Sequence, residues 1–214
     1  MSKNLLLSLS LMVFAPLLAM AEAAQEEYIE GTHYDLITPA VRTADPDKIE
    51  VAEFFWYGCG HCYTFEPVLG QWKKTLAEDV DFQGSPAMWN KPMELHAQAY
   101  YTAEVLGVLD IMNPVLFQAM NVDGKRLGSQ AEIEALFSAN GVSAEDFNKA
   151  FNSFGVSSQV RQASARARSA KITGTPALMV NGKYHVSTRK AGSQAGMLKV
   201  ADFLIAKERA AKGS

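Results

Sequence analysis

The two cysteines of this 214-residue chain, Cys59 and Cys62, lie where a strand pattern gives way to a helix pattern. Residues 49–57 are dense in β-branched and aromatic side chains, which predicts a buried strand. Residues 63–76 carry apolar side chains at helical spacing, which predicts an amphipathic helix. A strand that leads through a Cys-x-x-Cys turn into a helix indicates an α/β arrangement, and it places Cys59 at or near the N-terminus of that helix.

The N-terminus has the features of a secretory signal sequence. Lys3 supplies a positive start, an apolar run follows over residues 5–18, and Ala19-Met20-Ala21 offers the small-x-small pattern that a signal peptidase reads. The run is shorter than the roughly 20 residues that span a bilayer, so a retained membrane anchor is the less favoured alternative. We therefore predict that residues 1–21 form a cleaved signal peptide and that the mature chain starts near Glu22.

Composition narrows the class of protein. Apolar residues make up 48% of the chain and charged residues 20%, as in a soluble globular protein, and the formal net charge is −3. A nucleic-acid-binding protein is not indicated, because there is no basic stripe and the aromatic residues are not interleaved with arginine or lysine. A mature chain of about 190 residues has room for one domain, or for one domain with a substantial insertion.

The cysteine pair is interpreted as functional rather than structural. Exported proteins usually use cysteines as long-range disulfide staples. A bridge between Cys59 and Cys62 would close a loop too small to stabilise the fold much through chain entropy. A chain of this size can also bury enough core to fold without such a staple.

The middle of the chain is helical in pattern from about residue 92 to residue 171. The turn signals that divide it are Asn113-Pro114, Asp123-Gly124 and Asn140-Gly141. Ser129 and Ser143 precede acidic residues at capping-box spacing, so both are predicted helix N-caps. The aromatic stripe that follows the second cap is interpreted as core and comprises Phe147, Phe151 and Phe154.

Strand patterns flank this helical region on both sides. A second strand is predicted over residues 80–87. Two more, over residues 177–180 and 184–187, flank Asn181-Gly182, which is a strong hairpin signal. A final amphipathic helix is predicted over residues 193–207.

This order of elements predicts one α/β sheet domain that is interrupted by an all-helical insertion. The two parts of the sheet domain are expected at residues 22–91 and 172–214, and the insertion at residues 92–171.

The segment Cys59-Gly60-His61-Cys62 has the chemistry of thiol–disulfide exchange. The thiolate is the nucleophile, and a helix N-terminus favours a thiolate through its unpaired N–H groups and partial positive charge. His61 can add a donor or a positive charge. Cys59 is therefore the predicted attacking sulfur and Cys62 the resolving thiol. Because a stabilised Cys59 thiolate favours the reduced protein, it makes the protein an oxidant.

Two further residues are candidates for the site, each with an alternative interpretation. Pro176 follows Gly174-Thr175 and precedes a strand; it is either a cis-proline beside the sulfurs or an ordinary turn proline. Glu53 interrupts an apolar strand; it lies either on an exposed strand face or buried, where its raised pKa would allow it to relay protons to the resolving thiol.

Together these residues resemble the DsbA family of periplasmic disulfide oxidoreductases in the thioredoxin superfamily. The resemblance covers essentially the whole mature chain. The segments that carry it are Glu53-Phe54-Phe55, Cys59-x-His61-Cys62-Tyr63, Phe65-Glu66, Gly174-x-Pro176-Ala177 and Val180-Asn181-Gly182-Lys183-Tyr184.

The resemblance implies a thioredoxin fold with an inserted all-helical domain, in a monomer that needs no cofactor and no metal. It implies donation of a disulfide to newly exported proteins in the periplasm, and reoxidation by a quinone-linked membrane oxidase of the DsbB type. The family's nucleophile falls on Cys59, its resolving cysteine on Cys62, its cis-proline on Pro176 and its buried glutamate on Glu53. Thr175 is expected to contact substrate.

The chain departs from the family pattern at three positions. The best-known members have proline where this chain has Gly60; Cys-Gly-His-Cys is found in protein disulfide isomerases, which implies a lower oxidising power. Gly60 and Thr175 are both expected to affect substrate contacts, since Thr175 stands where a branched apolar residue is familiar. A lysine that often accompanies the buried glutamate is missing, with Gly84 near its expected place.

Two alternative functions remain. An isomerase or reductase could use the same fold, although dedicated isomerases have an N-terminal dimerisation domain for which too few residues precede the first strand. A metal-binding module could use Cys59, His61 and Cys62, but three ligands within four residues give awkward tetrahedral geometry.

Overall fold

The computed structural model of the chain describes residues 27–213. The predicted signal peptide, its cleavage site and Glu22 lie outside the described residues. The strands are β1 (Asp35–Leu36), β2 (Ile49–Phe55), β3 (Val80–Pro86), β4 (Ala177–Val180) and β5 (Tyr184–Ser187). The helices are α1 (Gly60–Lys73), α2 (Lys91–Val105), α3 (Leu109–Asn121), α4 (Gln130–Ser138), α5 (Ala144–Phe151), α6 (Phe154–Ser169), α7 (Thr188–Ala191) and α8 (Gln194–Lys212). None of the helices within residues 27–213 has the length and apolarity that a membrane span requires.

The five strands form one mixed sheet in the order β1-β5-β4-β2-β3. Strand β2 is central: it runs parallel to β3 and antiparallel to β4. All seven of its residues are buried, which explains why its sequence is an almost continuous apolar run. The register aligns Phe54 with Ala177, and so brings the end of β2 beside the start of β4.

Alternation along β2 sends successive side chains to opposite faces of the sheet. Ile49 and Val51 pack in one core with apolar residues of α1 and α8, whereas Ala52 and Phe54 pack on the other face against the end of α6. Glu53 shares the parity of Val51 and therefore points to the face that α1 covers.

Helices α2 to α6 lie in sequence between β3 and β4 and have their own core. That core is continuous with the end of β2, because Tyr57 makes an edge-to-face contact with Phe117 and Phe55 makes one with Tyr100. The predicted α/β sheet domain with an all-helical insertion is confirmed. The domain boundaries at residues 91 and 172 stay a prediction.

Local signals in the sequence locate several elements correctly. The hydroxyls of Ser129 and Ser143 accept hydrogen bonds from the third residue of α4 and α5, at 3.3 Å and 3.0 Å, so both predicted N-caps are confirmed. Asn181 and Gly182 have φ angles of 49° and 66° and join β4 to β5, as the hairpin signal predicts. Helix α8 extends to Lys212, beyond its predicted end. The short β1 and α7 have no counterpart in the sequence-based prediction.

The turn predicted at Asn113-Pro114 is wrong, because α3 continues through both residues. Pro114 removes one backbone donor from the helix. Buried side chains on either side, Met112, Leu116 and Phe117, hold the helix in the core of the insertion, and their packing outweighs the local signal.

The prediction that places Phe154 in the core is also wrong. Phe154 was expected in the core with Phe147 and Phe151, but it is 81% exposed because α5 ends at Phe151 and α6 begins a new direction. Trp89 is also mostly exposed, at 52%. Arg166 on α6 forms an ion pair with the buried carboxylate of Glu50 on β2.

Candidate active site

Cys59 is the N-cap of helix α1, and Cys62 lies in its first turn. Strand β2 ends at Phe55, and the chain then turns, with the Cys59 N–H donating to the Trp56 carbonyl at 2.9 Å. Cys59 is half-buried, whereas Cys62 is fully buried, and both are free thiols. The predicted position of Cys59 at a helix N-terminus is therefore observed.

The Cys59 sulfur lies among hydrogen-bond donors. The backbone N–H of Cys62 donates to it at 3.3 Å. A hydrogen bond from the Cys62 thiol, together with others from the Thr175 side chain and the backbone N–H groups of Cys62 and His61, lowers the pKa of Cys59 to about 5, against the opposing effect of burial. A thiol with this pKa is ionised at neutral pH and is therefore reactive.

The Cys62 thiol has the opposite character. Its hydrogen bond to Cys59 and its burial raise the pKa of Cys62. The two sulfurs thus differ in the way that an attacking and a resolving thiol must differ: the first is accessible and ionised, and the second is protected and protonated.

Thr175 and Pro176 stand directly beside the sulfurs. The peptide bond between them is cis, and the carbonyl oxygen of Thr175 lies 3.5 Å from the Cys59 sulfur. Sheet register produces this contact, because β4 begins immediately after Pro176 and pairs with the end of β2. The structure therefore favours the cis-proline interpretation of Pro176 over that of an ordinary turn proline.

His61 and Gly60 form the exposed rim of the site. The His61 carbonyl accepts hydrogen bonds from the side chains of Gln194 and Thr64. Gln194 begins helix α8, and no motif in the sequence pointed to it. Gly60 faces open space, since a Cβ at this position would have the Asn121 side chain as its nearest neighbour, 4.0 Å away.

Glu53 is 3% exposed and lines a cavity of about 830 Å³ between the sheet and the helical insertion. Burial raises the pKa of Glu53 well above its ordinary value, and the nearby charge of Glu66 adds to this, while Lys73 opposes it. Its Oε1 atom has no hydrogen-bond partner among residues 27–213. The buried alternative for Glu53 is therefore the one observed.

A short hydrogen-bond network crosses from α1 to the insertion near this cavity. Asn113 donates to the Glu66 carboxylate at 2.8 Å and accepts from the Tyr57 hydroxyl at 3.0 Å. The sequence pattern does not indicate these hydrogen bonds of Asn113, because Asn113-Pro114 reads as a turn signal. Glu66 did belong to the segments that suggested the family.

Within the described part of the chain, no group of three or more histidine, cysteine, aspartate or glutamate side chains is arranged to hold a metal ion.

Comparisons with known proteins agree with this geometry. The profile of the DSBA-like thioredoxin domain matches residues 72–195. The thiol:disulfide interchange protein DsbA of Pseudomonas syringae pv. tomato is 41% identical over 209 residues, which cover 98% of this chain and 97% of that protein. The protein of the same name from Pseudomonas aeruginosa is 37% identical over 209 residues, covering 98% of each chain.

Solved structures show the same fold. The crystal structure of Pseudomonas aeruginosa DsbA has a TM-score of 0.84 at 37% identity and covers 87% of this chain and 97% of that one. The oxidoreductase DsbA from Xylella fastidiosa has a TM-score of 0.78 at 31% identity, over 83% of this chain and 96% of that one. This chain therefore belongs to the family of DsbA-like thioredoxin-fold proteins.

Proposed function

We propose that this chain is a thiol–disulfide oxidoreductase that donates a disulfide between Cys59 and Cys62 to newly exported proteins in the periplasm. The observation that carries the proposal is the difference between the two sulfurs: Cys59 is half-buried with a pKa of about 5, and Cys62 is fully buried with a raised pKa. Relatives named thiol:disulfide interchange protein DsbA, similar over nearly their whole length, support it.

Donation takes two exchange steps. A substrate thiolate attacks the Cys59 sulfur of the disulfide and displaces Cys62, which takes up a proton. A second substrate thiolate then attacks the substrate's sulfur in the mixed disulfide and displaces Cys59. Cys59 leaves readily because a thiol of low pKa is a good leaving group. The substrate gains a disulfide, and the chain is left as the dithiol.

In reoxidation, Cys59 is the sulfur that attacks and no longer the sulfur that is attacked. The Cys59 thiolate attacks a disulfide of the oxidant, and Cys62 resolves the mixed disulfide after losing its proton. Glu53, buried on the face of β2 that α1 covers, is proposed to exchange that proton with Cys62. We propose a quinone-linked membrane oxidase of the DsbB type as the oxidant, and a monomer as the active form.

The remaining site residues are proposed to hold the substrate. The backbone of Thr175, set by the cis peptide bond to Pro176, borders the Cys59 sulfur and can pair with an extended segment of the substrate. Gly60 and His61 form the exposed rim that the segment would cross.

The test is the equilibrium of the chain with a glutathione redox buffer, read out by thiol trapping, with Cys59→Ala as the control. A disulfide donor must have a reduction potential above that of the glutathione couple, so that glutathione reduces most of its disulfide. A potential near that of thioredoxin would contradict donation and indicate a reductase or isomerase. Absence of exchange would contradict the oxidoreductase function altogether.

A further inference from the structure

His96 is a buried histidine outside the residues described above, and both of its ring nitrogens are engaged. It lies on α2 and is 2% exposed. Its Nε2 atom lies 3.1 Å from the carbonyl oxygens of both Arg126 and Leu127, and its Nδ1 atom lies 2.9 Å from the indole nitrogen of Trp56. Because carbonyls only accept, Nε2 must carry the hydrogen, which leaves Nδ1 to accept from the indole N–H.

The Trp56 indole packs against the backbone turn that precedes Cys59. A Cβ added to Gly58 would stand 2.4 to 2.8 Å from three atoms of the indole, so the ring packs directly on the Gly58 backbone. The Trp56 carbonyl accepts the hydrogen bond from the Cys59 N–H. The indole and the imidazole are nearly coplanar, with 6.2 Å between ring centroids and an interplanar angle of 20°, as an in-plane N–H···N hydrogen bond requires.

These contacts form a continuous path from the helical insertion to the sulfur. The carbonyls at residues 126 and 127 orient His96, His96 orients the indole of Trp56, and the indole supports the backbone at Gly58. The next residue is Cys59, whose side chain must stay within reach of the Cys62 N–H and of the Thr175 side chain to keep its low pKa.

We propose that His96 is a positioning residue for the attacking thiol: through the Trp56 indole it holds the turn at Gly58 and thereby keeps Cys59 in contact with its hydrogen-bond donors. This proposal rests on the function proposed above for Cys59. It also gives the helical insertion a part in the chemistry, although no residue of α2 touches the sulfurs in the contacts described here.

Burial supports this arrangement of the ring. It lowers the pKa of His96, so the neutral ring that can accept from Trp56 is favoured over the imidazolium, in which both nitrogens donate.

The test compares His96→Phe with His96→Gln. Phenylalanine keeps a ring but removes the acceptor for Trp56 and the donor to the two carbonyls, whereas glutamine can supply both. The readout is the thiolate absorbance of Cys59 against pH, together with the rate of alkylation at pH 4. We expect His96→Phe to slow alkylation about three- to tenfold, as a pKa rise of half a unit to one unit would do. His96→Gln should restore most of the rate.

Gln98→Met is the matched control for loss of stability. Gln98 lies on the same helix and donates to the Phe151 carbonyl at 2.6 Å, away from the active-site turn. We expect Gln98→Met to lower stability without changing the thiolate titration. If His96→Phe also lowers only stability, or if His96→Gln behaves like His96→Phe, the positioning role is refuted.

Trp56→Phe keeps the test decisive if His96→Phe fails to fold. It keeps an aromatic ring but removes the indole N–H and part of the ring that packs on Gly58, so it should slow alkylation in the same direction; an unchanged rate would refute the proposal. Failure of the wild-type chain to exchange with glutathione would refute the proposed function instead, so the two failures are distinguishable.

Discussion

The backbone N–H of Cys62 points at the sulfur of Cys59 across 3.3 Å, so the buried cysteine supports the thiolate of the accessible one. The thiol of Cys62 adds a second hydrogen bond, which is the largest single cause of the lowered pKa of Cys59. Reactivity at Cys59 is therefore a property of the pair and of the helix turn between them.

The first prediction concerns the titration of Cys59. In the reduced chain the thiolate absorbance should have a midpoint at about pH 5. Cys62→Ala should raise this midpoint, because it removes the thiol that donates to the Cys59 sulfur while leaving the backbone N–H in place. An unchanged midpoint in Cys62→Ala would show that the Cys62 thiol does not contribute to the pKa of Cys59.

The second prediction concerns the pH dependence of the glutathione equilibrium. The pKa of Cys59 falls from 9.0 to about 5 on folding, so the thiolate stabilises the reduced fold fully above pH 9 and not at all below about pH 5. Between these limits the reduced chain holds one proton fewer than two glutathione thiols do. The equilibrium should therefore shift towards the reduced chain by about tenfold, or about 30 mV, for each unit of rising pH.

Measurement at pH 4, 6 and 7 by thiol trapping checks this slope. The equilibrium constant should not change with pH below about pH 5, and between pH 6 and pH 7 it should change by about tenfold in favour of the reduced chain. A pH-independent equilibrium across the whole range would mean that Cys59 stays protonated at neutral pH.

The third prediction concerns Glu53. Glu53→Gln should slow the steps in which Cys62 gains or loses a proton by about 10- to 100-fold, at the low end of general acid–base effects, and should leave alkylation of Cys59 nearly unchanged. Rapid-quench trapping of the mixed disulfide separates the two steps. Glu104→Gln, which changes a carboxylate that lines the same cavity and is hydrogen-bonded to Gln159, is the matched control.

Glu53→Gln should also change stability in a known direction. Burial raises the pKa of Glu53 in the folded chain, so the wild-type protein loses stability as the pH rises above the ordinary glutamate value of 4.5. The variant should therefore be more stable than wild type at pH 8 and close to it at pH 4, as urea denaturation can show. Equal stability at both values would contradict a buried, perturbed carboxyl.

The fourth prediction separates two aromatic residues of one sequence stripe. Phe147→Ala should lower the free energy of unfolding by about 3–5 kcal/mol, because the ring is fully buried against Phe137 and Phe151. Phe154→Ala should change it by no more than about 0.5 kcal/mol, because the ring is 81% exposed. Urea denaturation of both variants, in the same redox state, checks the difference.

Local patterns in the sequence located the reactive part of the site because its chemistry is local. Both cysteines lie close in sequence to the helix that begins between them. The change from a strand pattern to a helical spacing of apolar side chains marks the position of Cys59 and Cys62. The hairpin at Asn181-Gly182 was equally predictable, since those residue types tolerate the positive φ angles that it requires.

Residues whose roles depend on distant contacts could not be found in this way. Asn113 looked like a turn residue because its partners, Tyr57 and Glu66, come from other elements. No pattern in the sequence pointed to His96, because its hydrogen-bond partner, the Trp56 indole, lies 40 positions earlier in the chain. The spacing of side chains along one helix cannot reveal which distant group will meet them.

The pairing of β2 with β4 has a consequence for synthesis of the chain. Thr175 lies 116 positions after Cys59, and it reaches the sulfur only when β4 joins the sheet. Contacts between such distant positions form late, because a long loop must close first. A growing polypeptide that ends at α6 would thus hold both cysteines without Thr175 or the Gln194 side chain beside them. The Thr175 contribution to the pKa of Cys59 therefore arrives only with the last fifth of the chain, after the cysteine pair and its helix turn have been made.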